Sequence, residues 1–223
     1  MTPQLASFVP QVELEERPWF NKGFESRWYF VPGVIGNLML IMVMNLTAFT
    51  VVREREIGTL EQVMVTPICR WEFILGKTIP YFLIGCVDAT MLALIGTFWF
   101  GVPFRGHVIV LAIGVMAFLL AALGLGLLIS TVSATQEQAR NTAFFFTMPA
   151  TTLSGFGTPI SSMPMFVQRL SYINPLRHVV LILRSICLKG VGFEVLWPNM
   201  AAMGVLALLM LSVSILRFRK SLE

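Results

Sequence analysis

Four stretches of this chain contain no Asp, Glu, Lys or Arg: residues 28–52, 106–136, 141–168 and 195–216, which are 25, 31, 28 and 22 residues long. A fifth, 78–104, runs for 27 residues and is interrupted only by Asp88. A hydrocarbon core about 30 Å thick is crossed by about 20 helical residues, so each stretch is long enough to span it. Charged residues make up 13% of the chain, against roughly 25% in an ordinary soluble domain, which excludes a soluble globular protein. Runs such as VIVLAIGVMAFLLAALGLGLLI do not alternate apolar with polar residues, which excludes an outer-membrane barrel. The expected fold class is an all-α integral membrane protein of about five transmembrane helices, at about 29–52, 78–101, 108–132, 141–158 and 195–216.

The net charge of +4 gives no nucleic-acid surface, because the basic residues cluster only in RFRK at 217–220, where they read as an anchor flanking a membrane helix. Cys69, Cys86 and Cys187 are odd in number and have no CxxC spacing, so neither a disulfide framework nor a metal site is expected. Residues 1–27 hold Pro3, Pro10 and Pro18 and no apolar run of signal-peptide length. Five spans place the two ends on opposite sides of the membrane, so an upstream span is expected if the basic tail is cytoplasmic. The positive-inside count does not decide orientation. Residues 53–77, 134–140 and the tail carry 8 Lys and Arg, and the other side also carries 8.

The connection between the first two spans is the most informative stretch. Arg53, Glu54, Arg55 and Glu56 end the first span, since charges enter hydrocarbon at a high cost. Gly58 permits a helix-ending backbone, and Thr59 with Gln62 forms a capping box for a short helix over about 59–66, with Leu60, Val63 and Met64 apolar. Thr66-Pro67 restarts a helix, with Thr66 as its cap and Pro67 in its first turn. A short interfacial helix between two spans works as a lever, because a push on it moves both spans.

At these residues the chain resembles a known family. The pattern ERExGTLEQxxxTPxxxxExxxGK, Glu54 to Lys77, is similar to the coupling-helix segment of the type 2 ABC transporter permeases, the membrane subunits of ATP-driven exporters. ERPWFN, SRWYFVPG, AALGLGLLIST, SGFGTPISSMP, LSYINPLRH, LKGVG and RFRK resemble further landmarks in family order, so that residues 13–223 are covered. The resemblance implies a cytoplasmic coupling helix and tail, an exoplasmic 1–27 segment, a permease domain over 28–223 and short exoplasmic re-entrant helices between 159 and 194. It implies the C-terminal portion of a permease, lacking the family's first span and exoplasmic domain, in a bacterial inner membrane. ATPase coupling would fall to Arg53, Glu54, Gly58, Thr59, Leu60, Glu61, Thr66, Pro67, Glu72 and Lys77. The implied partners are a cytoplasmic ABC ATPase subunit, a second permease subunit as homodimer or sister chain, a periplasmic adaptor protein and membrane lipid. The first and fourth spans would carry the dimer contact and the substrate path.

Polar residues inside spans are the candidates for substrate contact: Asn45 and Thr50 in the first, Asp88 in the second, Thr147 and Thr151 in the fourth. An ionised Asp88 at mid-span costs about 2.5–3.5 kcal/mol on insertion scales, so it needs a proton, a hydrogen bond or a cation. Ala122, Gly126 and Ser130, at four-residue spacing, present a small-residue face for packing within one chain. Glu137 and Arg140 at i and i+3 are expected to pair weakly, and His107 and His178 to lie at the interface. No catalytic cluster is legible, and GK at 76–77 lacks the upstream glycine of a phosphate loop, so ATP would be bound by a partner and no cofactor by this chain. The function expected is that of an exporter permease moving a hydrophobic or amphipathic compound, drug, lipid or polysaccharide. The alternatives are an ion-coupled secondary transporter using Asp88, which would show inverted repeats that are not visible here, and an inactive fragment of an exporter permease.

Overall fold

A computed structural model describes residues 25–58 and 70–220, and every regular element among them is helical. The elements are α1 (Ser26–Ile57), α2 (Arg70–Phe98), α3 (Val108–Val132), α4 (Gln136–Leu153), α5 (Met165–Leu170), α6 (Pro175–Arg184) and α7 (Phe193–Lys220). Short 3-10 turns occupy Ile160–Ser162 and Ser171–Ile173, and a π turn at Ser185–Lys189 prolongs α6. The chain is an all-α membrane protein. Four helices, α1, α2 from Leu75, α3 and α7 to Arg217, are long and apolar enough to cross a bilayer.

The fourth apolar stretch folds differently from its expected limits of 141–158. Its helix starts at Gln136, because Thr135 Oγ1 accepts the Gln138 N–H at 3.2 Å while Gln138 Oε1 accepts the Ala134 N–H at 2.7 Å, a capping arrangement of side chain and backbone. It stops at Leu153, ahead of Gly155 at φ +78, a left-handed backbone that a helix does not continue through. The polar first turns make α4 a shorter, less apolar helix than the other four long ones. The expected pair of Glu137 with Arg140 is not among the ion pairs of the described residues; Arg140 instead sits 5.9 Å from the Phe49 ring centroid on α1.

α3 is the hub, packed against α1, α2, α6 and α7 and, more lightly, α4. Small residues let it occupy that place. A Cβ added to Gly126 would lie 2.6 Å from the Met44 carbonyl oxygen and 2.8 Å from Thr47 Cβ on α1. On the opposite side of α3, a Cβ at Gly124 would lie 2.8 Å from Met210 Cβ and 3.0 Å from the Leu211 nitrogen on α7. Backbones therefore approach too closely for any side chain at these positions, as in close membrane-helix crossings generally. At the second crossing the Ser214 hydroxyl on α7 lies 2.8 Å from the Gly124 carbonyl and 2.7 Å from its own Met210 carbonyl. Phe118, Leu119 and Leu123 of α3 and Met39, Leu40 and Met44 of α1 fill the fully buried core between these crossings.

Gly126→Val is expected to cost about 1–3 kcal/mol by overpacking against a backbone atom. Gly204→Ala on α7, with no atom within 4 Å of where its Cβ would stand, is expected to be neutral. Thermal unfolding of the detergent-solubilised chain, followed by gel filtration of the surviving fraction, separates the two.

Candidate functional site

The foot of α1 is where the residues expected to couple to a partner begin. α1 runs beyond its expected end at Val52 and continues helically through Arg53, Glu54, Arg55 and Glu56 to Ile57. Gly58 stops it, with φ +80 and its N–H donating to the Arg55 carbonyl at 3.2 Å. Among the described residues no atom lies within 4 Å of where a Cβ would stand at Gly58, and the left-handed backbone is what calls for glycine here. Thr59, Leu60, Glu61, Thr66 and Pro67 lie outside the described residues. Glu72 is exposed near the start of α2, and Arg53 is exposed on α1.

Two charged contacts frame this foot. Glu54 pairs with Lys77, which joins the last turns of α1 to the first turns of α2. Glu56 reaches α4: its Oε1 accepts the Gln136 backbone N–H at 2.8 Å and its Oε2 accepts from the Gln136 side-chain amide. A carboxylate on the free N–H groups of a first turn is favoured by both hydrogen bonding and the helix dipole. α1, α2 and α4 are thus joined at one end of the bundle by side chains that either flank residues 59–69 in sequence or touch ones that do.

The opposite end of α1 is fixed by a residue to which the sequence reading gave no role of its own. The Arg184 guanidinium, on α6, lies 3.6 Å from the Tyr29 ring centroid and donates to the carbonyls of Tyr29, Gly155 and Phe156 at 3.2, 2.9 and 3.1 Å. Tyr29 donates its hydroxyl to the same Gly155 carbonyl at 3.3 Å. One guanidinium fork therefore fastens α1, the turn after α4, and α6. The sequence signal was a single Arg in the apolar run VVLILRSI, and such a residue is kept where it is fully used by hydrogen-bond acceptors. Beside it, Asn174 caps α6 by accepting the Leu176 N–H at 3.1 Å and donates its amide to the Ala150 carbonyl of α4 at 2.6 Å.

His178 is a correction to the sequence reading. It is buried rather than interfacial, with Nδ1 3.3 Å from Asn199 Oδ1 and Nε2 3.0 Å from the Tyr172 carbonyl. His107 is exposed and precedes α3. Burial pushes the Cys187 thiol up to about 11, which makes it a packing residue with little thiolate at neutral pH. Among the described residues no three His, Cys, Asp or Glu side chains approach closely enough to hold a metal ion.

Of the five candidate path residues, Asn45, Thr147 and Thr151 lie toward α4 and Asp88 toward α2, while Thr50 stands one turn after Leu46 on α1. Toward α4, Thr151 Oγ1 lies 2.9 Å from Asn37 Oδ1 and 2.8 Å from the Thr147 carbonyl, while Thr147 donates to the Ala143 carbonyl at 2.8 Å. Asn37, Ile41, Asn45 and Phe49 form one stripe at four-residue spacing whose two ends meet α4, at Thr151 and Arg140. Asn45 lies on that stripe, its Oδ1 buried without a hydrogen-bond partner among the described residues. Thr50 donates to its own Leu46 carbonyl at 2.9 Å, as a threonine in a membrane helix commonly does. Toward α2, Asp88 lines a groove of about 390 Å³ between α1 and α2. Asp88 and the threonines of α4 are not brought together within one chain.

Comparison with known proteins agrees with this architecture. The family described as ABC-2 type transporter matches residues 11–188. The chain is 37% identical over 188 residues to the probable multidrug ABC transporter permease YbhR of Escherichia coli (strain K12), covering 84% of this chain and 51% of that protein. It is 35% identical over 221 residues to the probable multidrug ABC transporter permease YbhS of the same strain, covering 97% of this chain and 58% of that protein. A match of 31% over 215 residues to the inner membrane transport permease YhhJ, also from that strain, covers 96% and 57%. The chain belongs to the ABC-2 type transporter family, and it spans between half and three fifths of the length of these relatives.

If Glu56 caps α4, Glu56→Ala is expected to speed amide hydrogen exchange at Gln136, Glu137 and Gln138 severalfold and leave the amides of Val108–Val132 unchanged. Exchange measured by mass spectrometry on the detergent-solubilised chain checks this.

Proposed function

We propose that this chain is the membrane-spanning subunit of an ATP-driven exporter, working with a separate cytoplasmic ATPase. The observation that carries the reading is the foot of α1. There Gly58 ends the helix at the sequence GTLEQ, and Glu54–Lys77 and Glu56–Gln136 tie α1 to α2 and α4. A force applied to residues 59–69 acts on three helices at once, which is what a subunit driven from outside the membrane needs. In this reading the energy of ATP enters through that contact.

In this reading Arg53, Glu54, Gly58, Thr59, Leu60, Glu61, Thr66, Pro67, Glu72 and Lys77 form or support the ATPase-facing surface. The foot and the C-terminus face the cytoplasm, and the Arg184 end faces outward. The relatives' names, multidrug ABC transporter permease and inner membrane transport permease, support an inner-membrane exporter of hydrophobic or amphipathic compounds. A second permease chain, identical or a sister, would complete the path, and an adaptor protein could extend it. Asn45, Thr50, Asp88, Thr147 and Thr151 are the path residues proposed. The exposed apolar row Phe30, Val34, Leu38, Met42 and Leu46 lies on α1 alongside them and is available to a second chain or to lipid.

Affinity purification of the tagged chain from its native membranes, with mass spectrometry of co-purifying proteins, tests the reading. An ABC ATPase is expected with the wild type and is expected to fall at least tenfold with Glu61→Lys, while both chains remain inserted. No ATPase with the inserted wild type, or equal recovery with the charge reversal, would overturn it.

A further inference from the structure

The groove between α1 and α2 has one polar feature in an otherwise apolar lining. Met42 and Leu46 of α1 and Leu83, Val87 and Met91 of α2 form its walls, and Asp88 is its single charged side chain. Asp88 Oδ2 is buried and has no hydrogen-bond partner among the described residues. Asp88 is also the sole charged residue between Lys77 and Arg105. Its depth matters. It lies 13 residues from Leu75 and 10 from Phe98 in the span Leu75–Phe98, which is about 20 Å and 15 Å along the helix axis. The ammonium of a lipid headgroup does not reach that level from either surface.

The chemistry selects the occupant. A small inorganic cation demands several oxygen ligands, and this groove offers one carboxylate among side chains of carbon and sulfur. An organic cation with its charge on an apolar body needs only one counter-charge, because its remaining surface is satisfied by the walls. The volume, about 390 Å³, is that of a small-molecule site. Gly85 sets its floor: a Cβ there would stand 3.0 Å from Leu119 Cδ2 and Val43 Cγ2, so the helices close behind the groove and leave it open outward. Met42 and Met91 at its edges are exposed and flexible, and such side chains adapt to cations of different outline.

We propose that the α1–α2 groove is a binding site for lipophilic organic cations, with Asp88 as the counter-charge and the two methionines as adaptable walls. This rests on the assignment of Asp88 to the substrate path, and it names the class of compound that the path would admit.

The test uses the purified full chain in lipid nanodiscs with radiolabelled tetraphenylphosphonium, empty nanodiscs setting the background, and triphenylphosphine as the uncharged competitor. Saturable binding is expected. Asp88→Asn should weaken it at least tenfold, Asp88→Glu should hold it within about threefold, and Val87→Trp, on the exposed edge of the groove, should reduce it by filling the space. Triphenylphosphine should not displace the cation. Binding no greater than in empty discs, wild-type affinity in Asp88→Asn, or displacement by the uncharged compound would overturn the proposal. ATPase capture by the wild type and by Asp88→Asn is measured alongside, and the variant is expected to keep it. In the wild type, capture without cation binding sinks the groove alone, and cation binding without capture sinks the exporter reading alone.

Discussion

Lipid gives two apolar helices little reason to leave it for one another, so a membrane bundle is held by how closely backbones can approach and by the few polar groups that find partners across the gap. In this chain both conditions centre on α3. Gly126 admits the Met44 carbonyl of α1 and Gly124 admits the backbone of α7, from opposite sides of one helix within a single turn. The remaining packing follows from these crossings, because α1 held at this distance carries α2, α4 and α6 on its other faces. Where the hub ends, burial drops steeply. Half of the most apolar window of α3 is buried, against 17% of that of α2 and 22% of that of α7, so α2 and α7 turn most of their surface to lipid or to another chain.

α1 is the helix on which the polar contacts converge. Glu54 and Glu56 hold its foot to α2 and α4, Asn37 meets Thr151 partway along, and Tyr29 is held by Arg184 at the far end. α1 and α4 are therefore joined at three levels, by a charged cap, a polar side-chain contact and a shared guanidinium anchor. Such a pair moves together. α2 meets α1 through an ion pair at the foot and apolar contact above it, without the polar contacts higher up that join α1 to α4.

Much of this is legible in the order of residues alone. Uncharged runs locate α1, α2, α3 and α7 because an uninterrupted apolar stretch has one solution in a bilayer. The end of α1 is legible: the charges from Arg53 to Glu56 mark where hydrocarbon ends and Gly58 marks where the helix does, and the turn between them carries side chains that serve as contacts. The start of α4 was missed because composition weighs a polar segment as loop, whereas Thr135 and Gln138 cap a helix whatever its polarity. The role of Arg184 and the burial of His178 depend on which segments fold back together, which spacing along one chain does not encode. Asp88 stands out as a charge at mid-span, yet the side of α1 it faces becomes visible only with the helices packed.

That placement bears on how a groove at Asp88 could respond to events at the foot. Residues 59–69 join α1 to α2 in sequence, and the Glu54–Lys77 pair joins the same two helices in space. α1 is tied to α4 by polar contacts at three levels and packed on α3, while α2 meets α1 and α3 through apolar contact above the foot pair. A displacement entering between them is therefore taken up chiefly as a change in the angle or spacing of α2 against α1. The groove walls are drawn from those same two helices, with Met42 and Leu46 on one and Leu83, Val87 and Met91 on the other. Its width is thus the dimension most sensitive to such a displacement. The threonines of α4, tied to α1 at three levels, sit in the part of the bundle that would deform least. Of the two polar groups flanking α1, the one containing Asp88 is the one whose walls come from the two helices that residues 59–69 connect.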